Sequence, residues 1–411
     1  MLRSVVRPLG VYTLRDDMAA MMVAPGAKTL MPEGECDLAD DGPLEFLQQV
    51  RLEIDSPKRE MLERQEFLSW TANRLREILD DGLYDFHAAP SFLLCRLSDG
   101  VHSQTGIVAD VSLEAYRSGV IKPHEATHQD KEDLLVEYMN SVRASFLPVS
   151  LIHKPLLPLA QIIENIVNRD PAVDIQIEGG LRVTLWAMCD SEIVSEIENA
   201  LNGLSSLYVA DGHHRIAAAA RFAHSYADAR PGASEGGSHT HIASVLFSSD
   251  QLVAHPYHRC VHVGRESLTD FIAQIKTVFS VKEVDDSFLE CSRGEFLMRL
   301  DSQWFRVGIP GRLRDEVGVN GLDVSILHEH LLGPFLGIND SQVDKRMDFV
   351  SGAYGIGELE SRCCESGSVG FVLCPLSVGE LIEFAEKGET LPPKSTYFAP
   401  RLPSGLIVRL I

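Results

Sequence analysis

Two short stretches of the sequence carry side chains that could do chemistry. His124-Glu125-Ala126-Thr127-His128 spells H-E-x-x-H. In zinc peptidases that spacing sets two imidazoles one helical turn apart on a metal, with the glutamate as general base. The second stretch, Asp211-Gly212-His213-His214-Arg215, follows the β-prone run Leu204 to Ala210 and precedes the Ala-rich run Ile216 to Ala227. The order expected there is strand, tight turn, helix. At such a junction Asp211 can cap the helix, Gly212 lets the backbone approach a ligand, and the first N–H groups attract anions. With His213, His214 and Arg215 as further donors, the turn is a candidate phosphate cradle, Arg215 supplying bidentate bonds. From spacing alone, a plain cap and turn with incidental histidines fits equally well.

The metal reading of HEATH is disfavoured by its flanks. Lys122-Pro123 and Gln129-Asp130-Lys131 are polar, whereas a zincin helix is buried. Proline before His124 allows a helix to begin but not to run through. No downstream helix offers an obvious third ligand, His153 being the one candidate. The alternatives for Glu125 are a general base and a first-turn carboxylate favoured by the helix dipole.

Other polar groups form a second tier. His255 and His258 lie in HPYHR, where strand geometry would send i and i+3 to opposite faces. His258 or Arg259 could reach a nucleotide, with strand-edge packing as the rival. Lys394, Ser395 and Thr396 in KSTYF could hold a phosphate or a substrate carboxylate, or belong to a solvated loop. His328 and His330 diverge by about 200° on a helix and define no shared site.

These groups must be positioned by elements that the pattern places as follows. A helix is expected within Pro57 to Tyr84, a hairpin over PSFLLCRLSDGVHSQTGIVADV, and a helix over Lys131 to Arg143 followed by the strand FLPVSLIH. A helical pattern at Ile162 to Val167, strands DIQIEG and LRVTLWAM, and a helix near Glu192 to Leu201 lead to the DGHHR turn. Strand-like runs are also expected at Arg3 to Tyr12 and Met18 to Pro25, with CDLADDG as a loop. The Gly/Ser-rich segment near 229–241 is a loop that could serve as a lid.

At 411 residues, 45% hydrophobic and 23% charged, the chain has globular composition and room for two or three subdomains. No apolar run approaches the roughly 20 residues of a membrane helix, and the N-terminal segment does not read as a secretory signal, so a cytoplasmic protein is expected. The eight cysteines show no C-x-x-C pair and read as buried reduced thiols, Cys363-Cys364 included. Lys plus Arg number 37 against 59 Asp plus Glu, a net charge of -22. That charge repels phosphate backbones and disfavours a nucleic-acid partner.

Gly212-x-x-Arg215-x-x-Ala218 resembles the G-x-x-R-x-x-A phosphate box of the ParB/sulfiredoxin fold, and DGHHR resembles the box of free serine kinases of that fold. Sulfiredoxins carry a reactive Cys where this chain has His213, so sulfinic-acid repair is not implied. Over most of its length, through VRPLG, TGIVADVSLEAYRSGVIKPHEAT, LWAMCDSEIVSEI, LYVADGHHRIAAAA, HPYHR and LPPKSTYFAPRLPSGLIVRL, the chain resembles the domain-of-unknown-function 1015 family. It departs near Val23, where VAPGAKTLM replaces the family's V-A-P-P-Y-D-V.

The resemblance implies an α/β (α+β) fold with a ParB/sulfiredoxin-like core at 121–265, an insertion near 154–200, and α/β subdomains at 1–120 and 266–411. It implies a kinase that moves a phosphoryl group from ATP or ADP, with Mg²⁺, to the hydroxyl of a free amino acid, L-serine first among them. Glu125 would be the base, Asp211 would position metal or substrate, and Gly212, His213, His214 and Arg215 would hold phosphates. His124, His258, Arg259, Lys394, Ser395 and Thr396 would be further contacts, with no metal held by protein alone. The competing class is a nucleotide-binding regulatory or DNA-associated module of the same fold; a zinc peptidase through HEATH ranks below both.

Overall fold

In a computed structural model the described residues are 4–17, 59–177, 180–230, 236–264, 268, 270–285, 289–341, 344–365 and 367–411. The segment VAPGAKTLM, the run from Met18 to Pro25 and the CDLADDG loop lie outside them, as do residues 231–235 of the Gly/Ser-rich loop. The chain divides into two units. The first comprises Met1–Pro123, Thr127–Leu252 and Pro400–Ile411; the second comprises His124–Ala126 and Val253–Ala399. These limits differ from boundaries at 120 and 265, because strands on either side of 120 share one sheet.

The first unit is built on a mixed sheet whose main path runs Ile121–Lys122, Leu207–Asp211, Val149–His153, His241–Ser248, Ser103–Ser112, Tyr84–Ser98, Leu9–Leu14, Ile407–Leu410, Ala144–Ser145. Two of these pairings are parallel, those of Leu207–Asp211 with Ile121–Lys122 and of His241–Ser248 with Val149–His153; the others are antiparallel. The expected hairpin forms around Asp99, whose carboxylate accepts the N–H groups of Val101 and His102 at 2.9 and 2.8 Å. Strand Ser103–Ser112 is buried along nearly its whole length, so it reads IVADV as a continuous run rather than an alternation. Asp110, in the middle of that run, is compensated by buried Arg409, which donates to it at 2.8 Å, and by Arg7 at 3.1 Å. Removing one partner of such a buried group leaves an uncompensated charge.

The segment expected as an insertion is part of this architecture. Arg182–Met188 pairs with Tyr84–Ser98, and Val173–Gln176 pairs outside it. Helices Leu157–Ile166 and Ser191–Asn202 flank that hairpin; the second is capped by Asp190, whose side chain accepts from Glu192 and Ile193. Helix Met61–Asp80 buries Phe67, Leu68, Leu75 and Ile78, the stripe expected from its period. Helix Gln129–Val142 is tied to helix His213–Ala229 by Arg221, which donates to Glu132 at 2.9 Å and to Asp133 at 2.5 Å.

The second unit contains an antiparallel sheet in the order Ser280–Val284, Gln303–Gly308, Glu295–Leu300, Ser368–Val372, Tyr257–His262, Met347–Ser351. One core gathers Phe271, Phe296, Ile326, Leu331 and Phe371, and another gathers Leu297, Trp304, Val350 and Leu359. Successive residues Phe296 and Leu297 enter different cores, as strand alternation requires. Cys260 on Tyr257–His262 is disulfide-bonded to Cys363 at the end of helix Ile356–Arg362. This corrects the expectation of reduced thiols for both: 103 residues separate them, so no local spacing announces the pair. Cys95, Cys189, Cys291, Cys364 and Cys374 are free. No described helix is long and apolar enough to cross a membrane.

Candidate functional site

Strand Leu207–Asp211 is buried from Leu207 to Ala210 and is flanked by a strand on each side. Its register with Val149–His153 shifts between Val209 and Asp211, so the ladder loosens where the turn begins. Gly212 follows at φ 95°, ψ 32°, in the left-handed region that glycine reaches without penalty. It is the N-cap residue of the 17-residue helix His213–Ala229. The N-cap position thus falls to Gly212 and not to Asp211. Its carboxylate instead bridges two arginines, with Arg215 at 2.7 Å and Arg401 at 3.3 Å.

Arg215 is fixed in turn. Its Nη1 donates to the carbonyls of Leu147 and Pro148 at 2.7 and 2.6 Å, and its Nη2 donates to Asp211. The fork thus clamps the turn to the chain entering strand Val149–His153. Gly212 lies directly against it: a Cβ there would fall 2.8 to 2.9 Å from the guanidinium atoms. His213 is buried at the helix start. The Nε2 of His214 accepts the backbone N–H of His128 at 3.1 Å, which requires that nitrogen to be unprotonated, and the two rings lie parallel at 6.0 Å. Arg401 escaped the sequence reading, although it falls within LPPKSTYFAPRLPSG; its link to Asp211 spans nearly two hundred residues and leaves no periodic trace.

HEATH is not helical. His124 and Glu125 lie outside any helix, and His128 is the extended N-cap residue of Gln129–Val142. The two histidines are therefore not one helical turn apart, and the geometry that gives H-E-x-x-H its zinc chemistry is not formed. In the second unit, Glu125 makes an isolated parallel bridge to Leu391, whose N–H donates to the His124 carbonyl at 2.7 Å. His124 is 1% exposed, with Nε2 3.2 Å from Thr396 Oγ1. Ser395 Oγ donates to the Pro392 carbonyl at 2.6 Å. The HEA and KSTYF stretches, remote in sequence, are thus held together.

Arg259 supports the same stretch from below. It is buried and donates to the carbonyls of Tyr257, Pro393 and Lys394 at 2.8, 3.2 and 3.0 Å, lying 4.4 Å from the centroid of the Phe349 ring. Burial lowers its pKa to about 9, opposed by the charges of Tyr257 and Glu125, so it is a cation at neutral pH. Lys394 holds φ 55°, a left-handed conformation uncommon for a side-chain-bearing residue, with Nζ 5.3 Å from the Tyr257 ring centroid.

His258 does different work. It is buried, and its Nδ1 accepts the Leu373 N–H at 3.3 Å; burial, aided by the Arg259 charge, pushes its pKa down to about 4. His255 lies on the separate ribbon Ala254–His255, paired with Tyr397–Phe398. Because the unfolded imidazole titrates near 6.5, the stabilisation by neutral His258 is complete above that pH. It is lost as pH falls toward 4, at about 1.4 kcal/mol per unit. His258→Asn, which offers an oxygen as acceptor, is expected to lose about 2 kcal/mol less than the wild type between pH 6.5 and 5. Denaturant unfolding at both pH values checks this; equal losses would mean that His258 is not held neutral.

The chain belongs to the family described as "Protein of unknown function (DUF1015)", whose model matches residues 7–325. No curated protein matches it significantly. Among solved structures it is similar to SbnI with a C-terminal truncation from Staphylococcus aureus, at 12% identity over 72% of this chain and 85% of that one, TM-score 0.40. A free serine kinase in complex with AMP shows 15% identity, 73% and 92% coverage and TM-score 0.39. A conserved hypothetical protein from Pyrococcus furiosus shows 16% identity, 74% and 94% coverage and TM-score 0.38.

Proposed function

We propose that this protein is a small-molecule kinase that phosphorylates the hydroxyl of a free amino acid, L-serine first among the acceptors, from ATP or ADP with Mg²⁺. In this reading the strand, turn and helix around DGHHR form a ParB/sulfiredoxin-like nucleotide site. The observation that carries it is the turn itself: a left-handed Gly212 opens the 17-residue helix His213–Ala229 at the end of strand Leu207–Asp211. Backbone N–H groups and the helix dipole can then serve an anion. Gly212, His213 and His214 would hold the phosphates. Arg215 would act mainly by clamping the turn, its Nη atoms already bonded to three protein oxygens. Asp211 would position the metal or the acceptor.

Glu125 would take the proton from the acceptor hydroxyl, while cationic donors and Mg²⁺ neutralise the transferring phosphoryl group. His124, Thr396, Ser395, Lys394 and Arg259 would set the position of that carboxylate, since they hold the HEA and KSTYF stretches together. His258 would support the strand rather than touch substrate, given its bond to Leu373.

The test is mass spectrometry of a mixture of free hydroxy amino acids incubated with the protein, Mg²⁺ and either ATP or ADP. Phosphoserine, formed with at least one donor, is the expected product. Absence of any phosphorylated amino acid with both donors would overturn the kinase reading.

A further inference from the structure

The second unit contains a cavity of about 610 Å³ whose chemistry the proposed reaction does not use. Arg293, Arg314, Asp315, Asp323 and Glu380 line it together with three glycines. The arrangement is built rather than incidental. Asp323, 9% exposed, accepts the Gly294 N–H at 3.0 and 3.3 Å. Gly294 stands at φ 83°, and a Cβ there would fall 2.6 Å from Arg314 Nη1, so the Arg314 guanidinium and the Asp323 carboxylate flank one glycine. Arg293 pairs with Glu380, and Glu380 also closes the capping box of helix Val378–Lys387 with Ser377. Arg314 is exposed at the cavity, and its charge acts on Asp323 across Gly294.

Arg293 and Asp323 also line a narrow recess whose other walls include Pro256, Leu322, Val324, Leu373 and Leu376. That recess holds only about 10 Å³, room for no more than a water, so a ligand must lie within the 610 Å³ cavity itself. Two cations and three carboxylates give the cavity a net negative lining, which works against phosphate or any other polyanion. A neutral zwitterion meets no such penalty: its carboxylate matches the planar fork of Arg314, and its ammonium matches Asp323 or Glu380. The close spacing of Arg314 and Asp323 across Gly294 suits charges carried on one carbon.

We propose that this cavity binds a free α-amino acid, the carboxylate on Arg314, the ammonium on Asp323 and the side chain within the same 610 Å³ space. Burial raises the pKa of Asp323 despite the Gly294 N–H and the two arginines. Such a carboxylate gains most from an incoming cation, because it lacks the solvent that would otherwise stabilise its charge. The proposal uses no nucleotide and no residue of the DGHHR turn, so it stands or fails separately from phosphotransfer.

Isothermal titration of the full chain, without nucleotide, would compare leucine, valine, methionine and serine with 4-methylpentanoate and 3-methylbutylamine. The last two each lack one charged group of leucine. At least one of the four amino acids is expected to bind, each truncated analogue to bind at least about tenfold more weakly, and Arg314→Gln to weaken binding by about tenfold or more. Arg314 is exposed, so the variant is expected to unfold at the wild-type temperature without ligand, which keeps a binding loss interpretable. Asp323→Asn should selectively weaken ligands that carry the ammonium. Three results would each overturn the proposal: none of the four amino acids binding below about 10 mM, binding unchanged in Arg314→Gln, or 4-methylpentanoate binding as tightly as leucine.

Discussion

Glu125→Gln is expected to lower the rate of phosphoserine formation by about 10²- to 10⁴-fold, the usual contribution of a positioned general base. The substitution keeps size and shape while removing the proton acceptor. The backbone bridge between Glu125 and Leu391 and the bond from Leu391 to the His124 carbonyl do not involve the side chain and should persist. The effect should therefore fall on kcat, with KM for the nucleotide little changed. Arg259 loses a nearby negative charge that favours its protonated form, so a modest loss of stability is also expected. Rate measurements paired with thermal unfolding separate the two. A variant that turns over at the wild-type rate would remove Glu125 from the mechanism.

Gly212→Ala should have the next largest effect, a fall in nucleotide affinity of about a hundredfold or more. Two independent costs combine. A left-handed conformation costs an L residue about 1–2 kcal/mol. The added methyl also meets the Arg215 guanidinium, which cannot retreat without giving up bonds to Leu147, Pro148 and Asp211. Hydrogen bonds to a charged group are each worth about 1.5–3 kcal/mol. A double-mutant cycle isolates the second cost: in an Arg215→Ala background the alanine should be milder, because its collision partner is gone. Titration with ATP and ADP reads the affinity. Additive losses in the cycle would show that Arg215 is not what excludes a side chain at Gly212.

The local elements were legible because their signals are local. The hairpin announced itself through Ser98-Asp99-Gly100, the DGHHR turn through its β-prone and Ala-rich flanks, and helix Met61–Asp80 through its apolar period. What escaped depends on pairing between distant residues, which leaves no periodicity to read. Nothing within 154–200 showed that Arg182–Met188 would extend the sheet beside Tyr84–Ser98. Asp211 looked like a cap, yet two arginines claim its carboxylate, one of them near the end of the chain. Arg215 looked like a phosphate fork, yet carbonyls at 147 and 148 occupy its Nη1. The cavity around Arg314 and Asp323 was invisible for the same reason: Gly294, Arg314, Asp323 and Glu380 share no motif.

Leu9–Leu14 pairs on one side with Tyr84–Ser98 and on the other with Ile407–Leu410, which in turn pairs with Ala144–Ser145. Leu9–Leu14 is thus completed by a strand made far later in synthesis, and Asp110 waits for the same late segment to receive Arg409. Between Leu252 and Pro400 lie about 150 residues of the other unit. At elongation speeds of about 5–20 residues per second, that interval lasts on the order of 10–30 s. For that time the nascent first unit carries an open sheet edge and a carboxylate without its buried partner. Its most exposed moment is a matter of synthesis order rather than of thermodynamics, and it ends only when residues 407–410 emerge.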